Sequence, residues 1–173
     1  LGGTSLINAN VALKADPRVF DDPCWPAGIR DSDLEEGYAR AWAMLAPTEY
    51  PGNKPTLAKF ATLAKGANAL NAAAINPPIN VTFEDRVNDA GVRQAACTLC
   101  GDCCSGCNVG AKNTTLMNYL PDAAAHGAEI YCKAQVRWLE QAGEWWRVLF
   151  SPADVGREAF GAPELSVIAG KVI

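Results

Sequence analysis

The sequence lacks three features that would place it in familiar classes of protein. It has no apolar run close to the roughly 18 residues that a membrane-spanning helix needs, and its formal net charge of -4 provides no basic field for a phosphate backbone. Its seven cysteines in 173 residues are too dilute for a domain held together by disulfides. We therefore expect neither a membrane span nor a nucleic-acid partner.

The composition is that of a folded, water-soluble chain. Hydrophobic residues make up 49% and charged residues 20%, which excludes a disordered or collagen-like protein. A chain of 173 residues is long enough for one well-buried domain, so a single core is expected. The sequence opens without methionine and closes on the apolar run LSVIAGKVI, and we interpret it as an internal fragment. The lack of a signal peptide is then uninformative, and a cytoplasmic location is the default expectation.

Two amphipathic helices are predicted in the first half of the chain. The first follows the pattern S-D-L-E at Ser32 to Glu35, which is typical of a capping box, and Pro47 ends it. The second is predicted from Pro55 to about Asn68, with Pro55 in its first turn. A Pro-broken run with Val81 then predicts a short strand.

The last third changes from helix to strand. Residues 113–126 have helical periodicity, with a kink expected at Pro121 and a stop at Gly127. Three β-rich runs follow, EIYCKAQVRWLEQ, WWRVLFS and LSVIAGKVI. The predicted fold class is therefore α+β, with helices followed by a C-terminal β-meander.

The opening residues LGGTSLINAN combine two glycines with small and amide side chains. Glycines let a backbone pass close to a ligand, and the free amides of a first helical turn attract an anion such as a diphosphate. A Gly-Gly turn that only caps a structural helix is the alternative. We predict that Gly2 to Val11 begins a helix whose amino end is open to solvent.

Two segments carry a resemblance to a known family. LGGTSLINANVALKADPRVFD resembles the first signature of the glucose-methanol-choline (GMC) oxidoreductase family of FAD enzymes, with Asn8, Ala12, Ala15 and Asp21 at the expected offsets. NVGAKNTTLMNYLPDAAAHGAEIYCKAQVRWLEQ is similar to the cholesterol oxidase-like branch, in which a Gly-Ala-Lys loop leads to a helix and then to a strand with a Gln-Val pair. Together the resemblance covers nearly the whole chain.

The resemblance implies an FAD-binding fragment and indicates its contact residues. Val136 would offer its backbone to the adenine. Ile7 stands where some relatives carry a histidine that tethers the flavin, so FAD is expected without a covalent link. The residues that would line the diphosphate and isoalloxazine are Gly2, Gly3, Thr4, Ser5, Asn8, Ala9 and Val11.

The resemblance also implies a reaction. The substrate would be a small-molecule alcohol, with a sterol or a long-chain alcohol as candidates, and the electron acceptor is not indicated. A base takes the hydroxyl proton while hydride passes from the carbinol carbon to the flavin. The catalytic base and the family's G-x-G-x-x-G motif are absent from this sequence, so no catalytic residue is assigned and the fragment alone is expected to be inactive. Backbone amides around Asn8 to Asn10 are candidates for holding the charge of the reduced flavin. The one histidine, His126, is interpreted as structural because a cation suits a helix end.

The segment CTLCGDCCSGC has a spacing that favours a second interpretation. Its cysteines follow the pattern C-x2-C-x2-C-x3-C, which ferredoxins use to hold an iron-sulfur cluster. Zinc accepts the same four thiolates, and structural thiols or disulfides beside a flavin-side loop are equally open. The candidate metal ligands are Cys97, Cys100, Cys103 and Cys107. An iron-sulfur electron-transfer or metal-binding module is therefore the alternative function.

The resemblance places the whole chain, residues 1–173, in the N-terminal FAD-binding region of a two-domain oxidoreductase. Residues 1–20 are interpreted as a flavin-contacting loop and helix, and 21–112 as a helical and cysteine-rich insert. Residues 113–173 would return to the FAD domain as a helix and a β-meander.

Overall fold

The structure is a computed structural model that describes residues 3–154, 156, 161 and 163–173. The chain divides into two compact units, Leu1–Ala128 and Glu129–Ile173, where its length predicts a single core. Helices lie in the first unit and a three-stranded sheet forms the second. The predicted α+β class, with helices followed by a β-meander, is confirmed.

Helix α1 spans Asp31–Leu45 and confirms the first predicted helix. Its cap differs from the predicted one, because the Asp33 carboxylate accepts a hydrogen bond from the Arg30 amide at 2.8 Å. Asp33 lies three residues after Arg30, the position from which a side chain can reach back to the first free amide. The helix ends at Leu45, and Ala46, which adopts φ 42° just before Pro47, is its C-cap.

Helix α2 spans Ala58–Ala69 and begins later than predicted. Pro55 lies outside it, where its carbonyl accepts a hydrogen bond from the Tyr50 hydroxyl at 2.8 Å. The apolar stripe of Phe60, Ala61 and Ala64 is only half-buried. The predicted periodicity is present, but no residue of α2 is fully buried.

Helix α3 spans Tyr119–Ala125 and is shorter than the predicted segment. Pro121 is its third residue, so the amide that proline lacks would have no partner within the helix anyway, and the expected kink is wrong. Gly127 has φ 89° and ends the helix as predicted.

Three extended segments, which we call the framework, connect distant parts of the first unit: residues 10–12, 78–82 and 111–113. The Asn80 amide donates to the Asn10 carbonyl at 2.8 Å, and the Ala12 amide donates to the Pro78 carbonyl at 2.9 Å. On the other side, the Thr82 amide donates to the Ala111 carbonyl at 2.9 Å. These contacts are isolated bridges and not the short strand predicted around Val81.

Two short strands follow the framework in sequence. Strand β1 spans Arg86–Val87 and pairs antiparallel with β2, Arg93–Gln94. Asn88 closes the turn between them, because its side-chain oxygen accepts a hydrogen bond from the Val92 amide at 2.9 Å. This hairpin, which the sequence pattern did not predict, precedes the cysteine-rich segment.

The second unit is an antiparallel meander. Its strands are β3, Ala134–Ala142, β4, Trp145–Pro152, and β5, Leu165–Ala169, in that order across the sheet. The register shifts between Val136 and Trp138, which is a β-bulge. The three predicted β-rich runs are confirmed, and Gly143, which has φ 67°, lies in the tight turn between β3 and β4.

The interior of the first unit is largely polar. The largest fully buried side chains are Lys112, Gln94 and Asn118, and the buried apolar residues of the described chain are Ala12, Phe20, Val81, Ala111 and Leu149. Hydrogen bonds therefore hold much of this unit together. Within the described residues, no helix has both the length and the apolarity to cross a membrane.

Candidate functional site

The candidate site is the loop of residues 3–12. A single 3-10 turn, Gly3–Leu6, opens it, where the sequence predicts a longer helix. The Thr4 carbonyl accepts hydrogen bonds from the Ile7 and Asn8 amides at 3.1 and 3.0 Å. The chain then leaves the helical path, and residues 3 and 4 are exposed as predicted. Gly2 lies outside the described residues.

Asn8 and Asn10 explain why the helix stops. The Asn8 side-chain oxygen accepts a hydrogen bond from the Asn10 amide at 3.1 Å, a local turn that competes with helix. Asn10 adopts φ 56°, a left-handed conformation that asparagine tolerates. The Asn10 Nδ2 atom is buried beside the Cys103 thiol. Burial raises the pKa of that thiol, and the hydrogen bond from the Asn10 side chain offsets this rise in part. The Asn10 side chain is thus directed to the cysteine-rich segment.

The loop is fixed at both of its ends. At the start, the Ser5 hydroxyl lies 3.2 Å from the Thr115 hydroxyl and accepts a hydrogen bond from the Thr115 amide at 3.1 Å. At the end, the framework contacts of Asn10 and Ala12 with residues 78–80 hold it in place. Residues 111–115 and 78–82 are therefore the support on which the loop is built.

Lys112 supports the middle of the loop. Its side chain is 2% exposed, and its ammonium donates to the carbonyls of Leu6, Asn8 and Cys103 at 3.1, 2.8 and 2.8 Å. Three carbonyls use all three N–H donors of the ammonium. The sequence pattern shows this residue only as part of a Gly-Ala-Lys loop and does not indicate its role. Its position in a run of small and amide residues is the sequence feature that could have indicated burial.

The other side of the loop faces open space. A Cβ atom added at Gly3, which has φ 53°, would meet nothing within 4 Å. Ile7, Val11 and Leu13 are 64%, 50% and 60% exposed. Ile7 and Val11 are apolar and exposed on a fixed loop, so this side of the loop is accessible to a ligand or to another part of a protein.

The predicted contact residues fall into two groups. Gly3, Thr4, Ser5, Asn8, Ala9 and Val11 lie together on the loop. Val136 lies in β3 of the second unit, where it is 55% exposed and pairs with Phe150. Its role toward adenine stays a prediction.

The four candidate metal ligands share one small apolar pocket of about 20 Å³, lined also by Val81, Ala111 and Lys112. They are not arranged to bind an ion, since no group of three or more Cys, His, Asp or Glu side chains in the described parts of the chain could hold a metal. The structure therefore does not support the iron-sulfur interpretation. The ferredoxin spacing alone does not bring these thiols into ligand geometry.

Two of these thiols have opposite electrostatic surroundings. Burial raises the pKa of the Cys107 thiol, but hydrogen bonds from the backbone amides of Lys112, Val109, Ala111 and Gly110 outweigh burial, and the net pKa is lowered. Burial raises the pKa of the Cys103 thiol and outweighs a hydrogen bond from the Asn10 side chain that lowers it, and the neighbouring thiols of Cys97 and Cys107 raise the pKa further. Of these two thiols, Cys107 is the better suited to exist as a thiolate.

His126 takes no part in this site. It follows α3, where its Nδ1 lies 2.8 Å from the Asp122 carbonyl and 3.5 Å from the Asp122 carboxylate. Both contacts are local to the helix end, which agrees with the structural interpretation.

Comparison with known proteins gives the site its context. The family model described as GMC oxidoreductase matches residues 1–170. The chain is 38% identical over 167 residues to a protein named cholesterol oxidase from Mycobacterium tuberculosis, a match that covers 86% of this chain and 28% of the relative. It is 30% identical over 151 residues to a cholesterol oxidase from Acinetobacter baumannii, covering 79% of this chain and 27% of the relative. No solved structure matches significantly. The chain spans little more than a quarter of the length of these relatives, and its match to the family model over almost all of its residues shows that it belongs to the GMC oxidoreductase family.

Proposed function

We propose that this chain is part of an FAD-dependent oxidoreductase and that the loop of residues 3–12 binds the cofactor without a covalent link. The observation that carries the proposal is the loop itself, which is fixed on one side by Lys112 and the framework and open on the other. Family membership implies FAD, and the properties of the loop fit it. The exposed turn at Gly3 leaves room for the cofactor, and Lys112 holds the backbone of the loop in one conformation.

The proposed reaction is oxidation of an alcohol, and the names of the relatives make a sterol the first substrate to test. When bound, FAD supplies the acceptor for the hydride of the carbinol carbon. The part of this chain is to bind and orient: the loop presents backbone groups and apolar side chains in a fixed geometry. We assign the catalytic base to no residue of this chain, because its one histidine is engaged at the end of α3.

Two measurements on the complete natural protein test the proposal. Purified protein should carry FAD that acid releases, as non-covalent binding requires, and anaerobic addition of cholesterol should bleach the flavin absorbance. The matched control is the same steroid without its hydroxyl group, which should leave the absorbance unchanged. A protein that neither carries nor takes up FAD would refute the cofactor assignment. Flavin that is bleached by neither sterols nor long-chain alcohols would refute the reaction assignment alone.

A further inference from the structure

Lys112 stands out as a buried cation that the reaction proposal does not use. A charged ammonium is costly to bury unless its donors are satisfied. Here the three contacts are carbonyl oxygens, and Lys112 forms no ion pair with a carboxylate in the described parts of the chain. Dipoles alone therefore hold this charge.

The three carbonyls come from two segments that lie far apart in sequence. Leu6 and Asn8 belong to the candidate loop, 106 and 104 residues before the lysine, and Cys103 belongs to the cysteine-rich segment. Lys112 itself is fixed in the framework, since it forms a bridge with Val81. One ammonium thus connects the loop, the cysteine-rich segment and the framework.

The contacts also determine which groups of the loop remain available. Because the Leu6 and Asn8 carbonyls point to the ammonium, the peptide groups at these positions have a fixed orientation. The carbonyl oxygens of Leu6 and Asn8 are thereby occupied by the ammonium. Loss of the ammonium would leave three carbonyls without their partner and free the middle of the loop to change shape.

We infer that Lys112 is a positioning residue for the cofactor: its ammonium holds the Leu6 to Asn8 backbone in the conformation that binds FAD. This inference rests on the proposed function. It requires hydrogen-bond donors at the ammonium position and not merely a positive charge.

The test uses the complete protein and the variant Lys112→Ala, with FAD affinity and the visible circular dichroism of bound FAD as readouts. We expect FAD affinity to fall at least tenfold, because three hydrogen bonds to one charged group are lost. The n-propylammonium ion replaces the atoms that the substitution removes, and it should restore both affinity and spectrum. Tetramethylammonium has the same charge but no N–H group, so it should restore neither.

Two control variants make the result specific. Lys65→Ala removes an exposed lysine of α2 and should bind FAD like wild type. Lys112→Met fills the space of the lysine side chain but has no hydrogen-bond donor. This variant should bind FAD weakly, and n-propylammonium should not restore its affinity. If Lys112→Ala does not fold, the affinity of folded Lys112→Met decides the question.

The outcomes separate the two proposals. Wild-type protein without FAD binding would refute the proposed function whatever Lys112 does. If the wild-type protein binds FAD and Lys112→Ala binds it with equal affinity, only the inference about Lys112 is overturned. The same holds for Lys112→Met where that variant is used. Equal rescue by both ammonium ions would also overturn it, because charge alone would then suffice. If Lys112→Ala loses FAD affinity and n-propylammonium does not restore it, the inference about Lys112 is overturned as well.

Discussion

Substitutions at Gly3 can distinguish a cofactor site from a structural turn. Gly3 has φ 53°, and no protein atom lies within 4 Å of a Cβ built there. Backbone strain at this angle is smallest for asparagine, about 1 to 2 kcal/mol for an ordinary residue such as alanine, and larger for a β-branched residue. Protein stability should therefore fall in the order Asn, Ala, Val.

If FAD occupies the space next to Gly3, its affinity should follow a different order. Gly3→Ala adds a single methyl group, whereas Gly3→Asn adds a side chain of four heavy atoms to the volume that the cofactor needs. We expect Gly3→Asn to be the more stable protein of the two and the weaker FAD binder, and Gly3→Val to lose FAD almost completely. The assay is flavin absorbance and FAD titration of the complete protein, with thermal unfolding as the measure of stability.

The decisive result is that Gly3→Asn and Gly3→Ala exchange places between the order of stability and the order of FAD affinity. Affinity that simply follows stability would mean that Gly3 serves the backbone turn alone. A folded Gly3→Val protein with a full complement of FAD would show that the opening motif is a structural cap, and the assignment of the cofactor site would then be wrong.

Two further predictions concern single side chains. Asn8→Ala removes the acceptor for the Asn10 amide and should weaken FAD binding by about 1 kcal/mol. Asn8→Ser keeps an uncharged oxygen acceptor and should bind FAD more tightly than Asn8→Ala in the same titration. Equal affinities of the two variants would show that this turn does not matter. For the thiols, a lowered pKa means that the thiolate is present at lower pH, so alkylation of Cys107 should reach half its maximal rate at a lower pH than that of Cys103. Mass spectrometry of peptides alkylated across a pH series measures the alkylation rates of both thiols. Half-maximal alkylation of Cys103 at a lower pH than that of Cys107 would contradict the amide hydrogen bonds described for Cys107.

The parts of the fold that the sequence predicted are those that depend on local patterns. Helix α1 and the three strands of the second unit are determined by hydrophobic periodicity and by turn residues, which are patterns that span only a few neighbouring positions. Gly127 likewise ends α3 through its own backbone freedom. Pro121 was misjudged because its effect depends on where the helix begins, and the preceding turn at Asn118 shifts that start.

The candidate site shows why the remaining features could not be predicted. The resemblance located the loop of residues 3–12, but its support comes from Asn80, Lys112 and Thr115, which lie far away in sequence. Periodicity contains no information on such distant hydrogen bonds. The cysteine spacing failed for a related reason, because a spacing restricts the path of a loop without determining where its thiols point.

Hydrogen-deuterium exchange of the complete protein tests the central claim most directly. Exchange is compared between protein with bound FAD and the same protein after the flavin has been removed, with α2, Ala58–Ala69, as the internal reference. A cofactor held by the loop should slow exchange in peptides that cover residues 3–12 while α2 changes little. If peptides 3–12 exchange equally with and without FAD, the loop does not bind the cofactor and the proposed site is refuted.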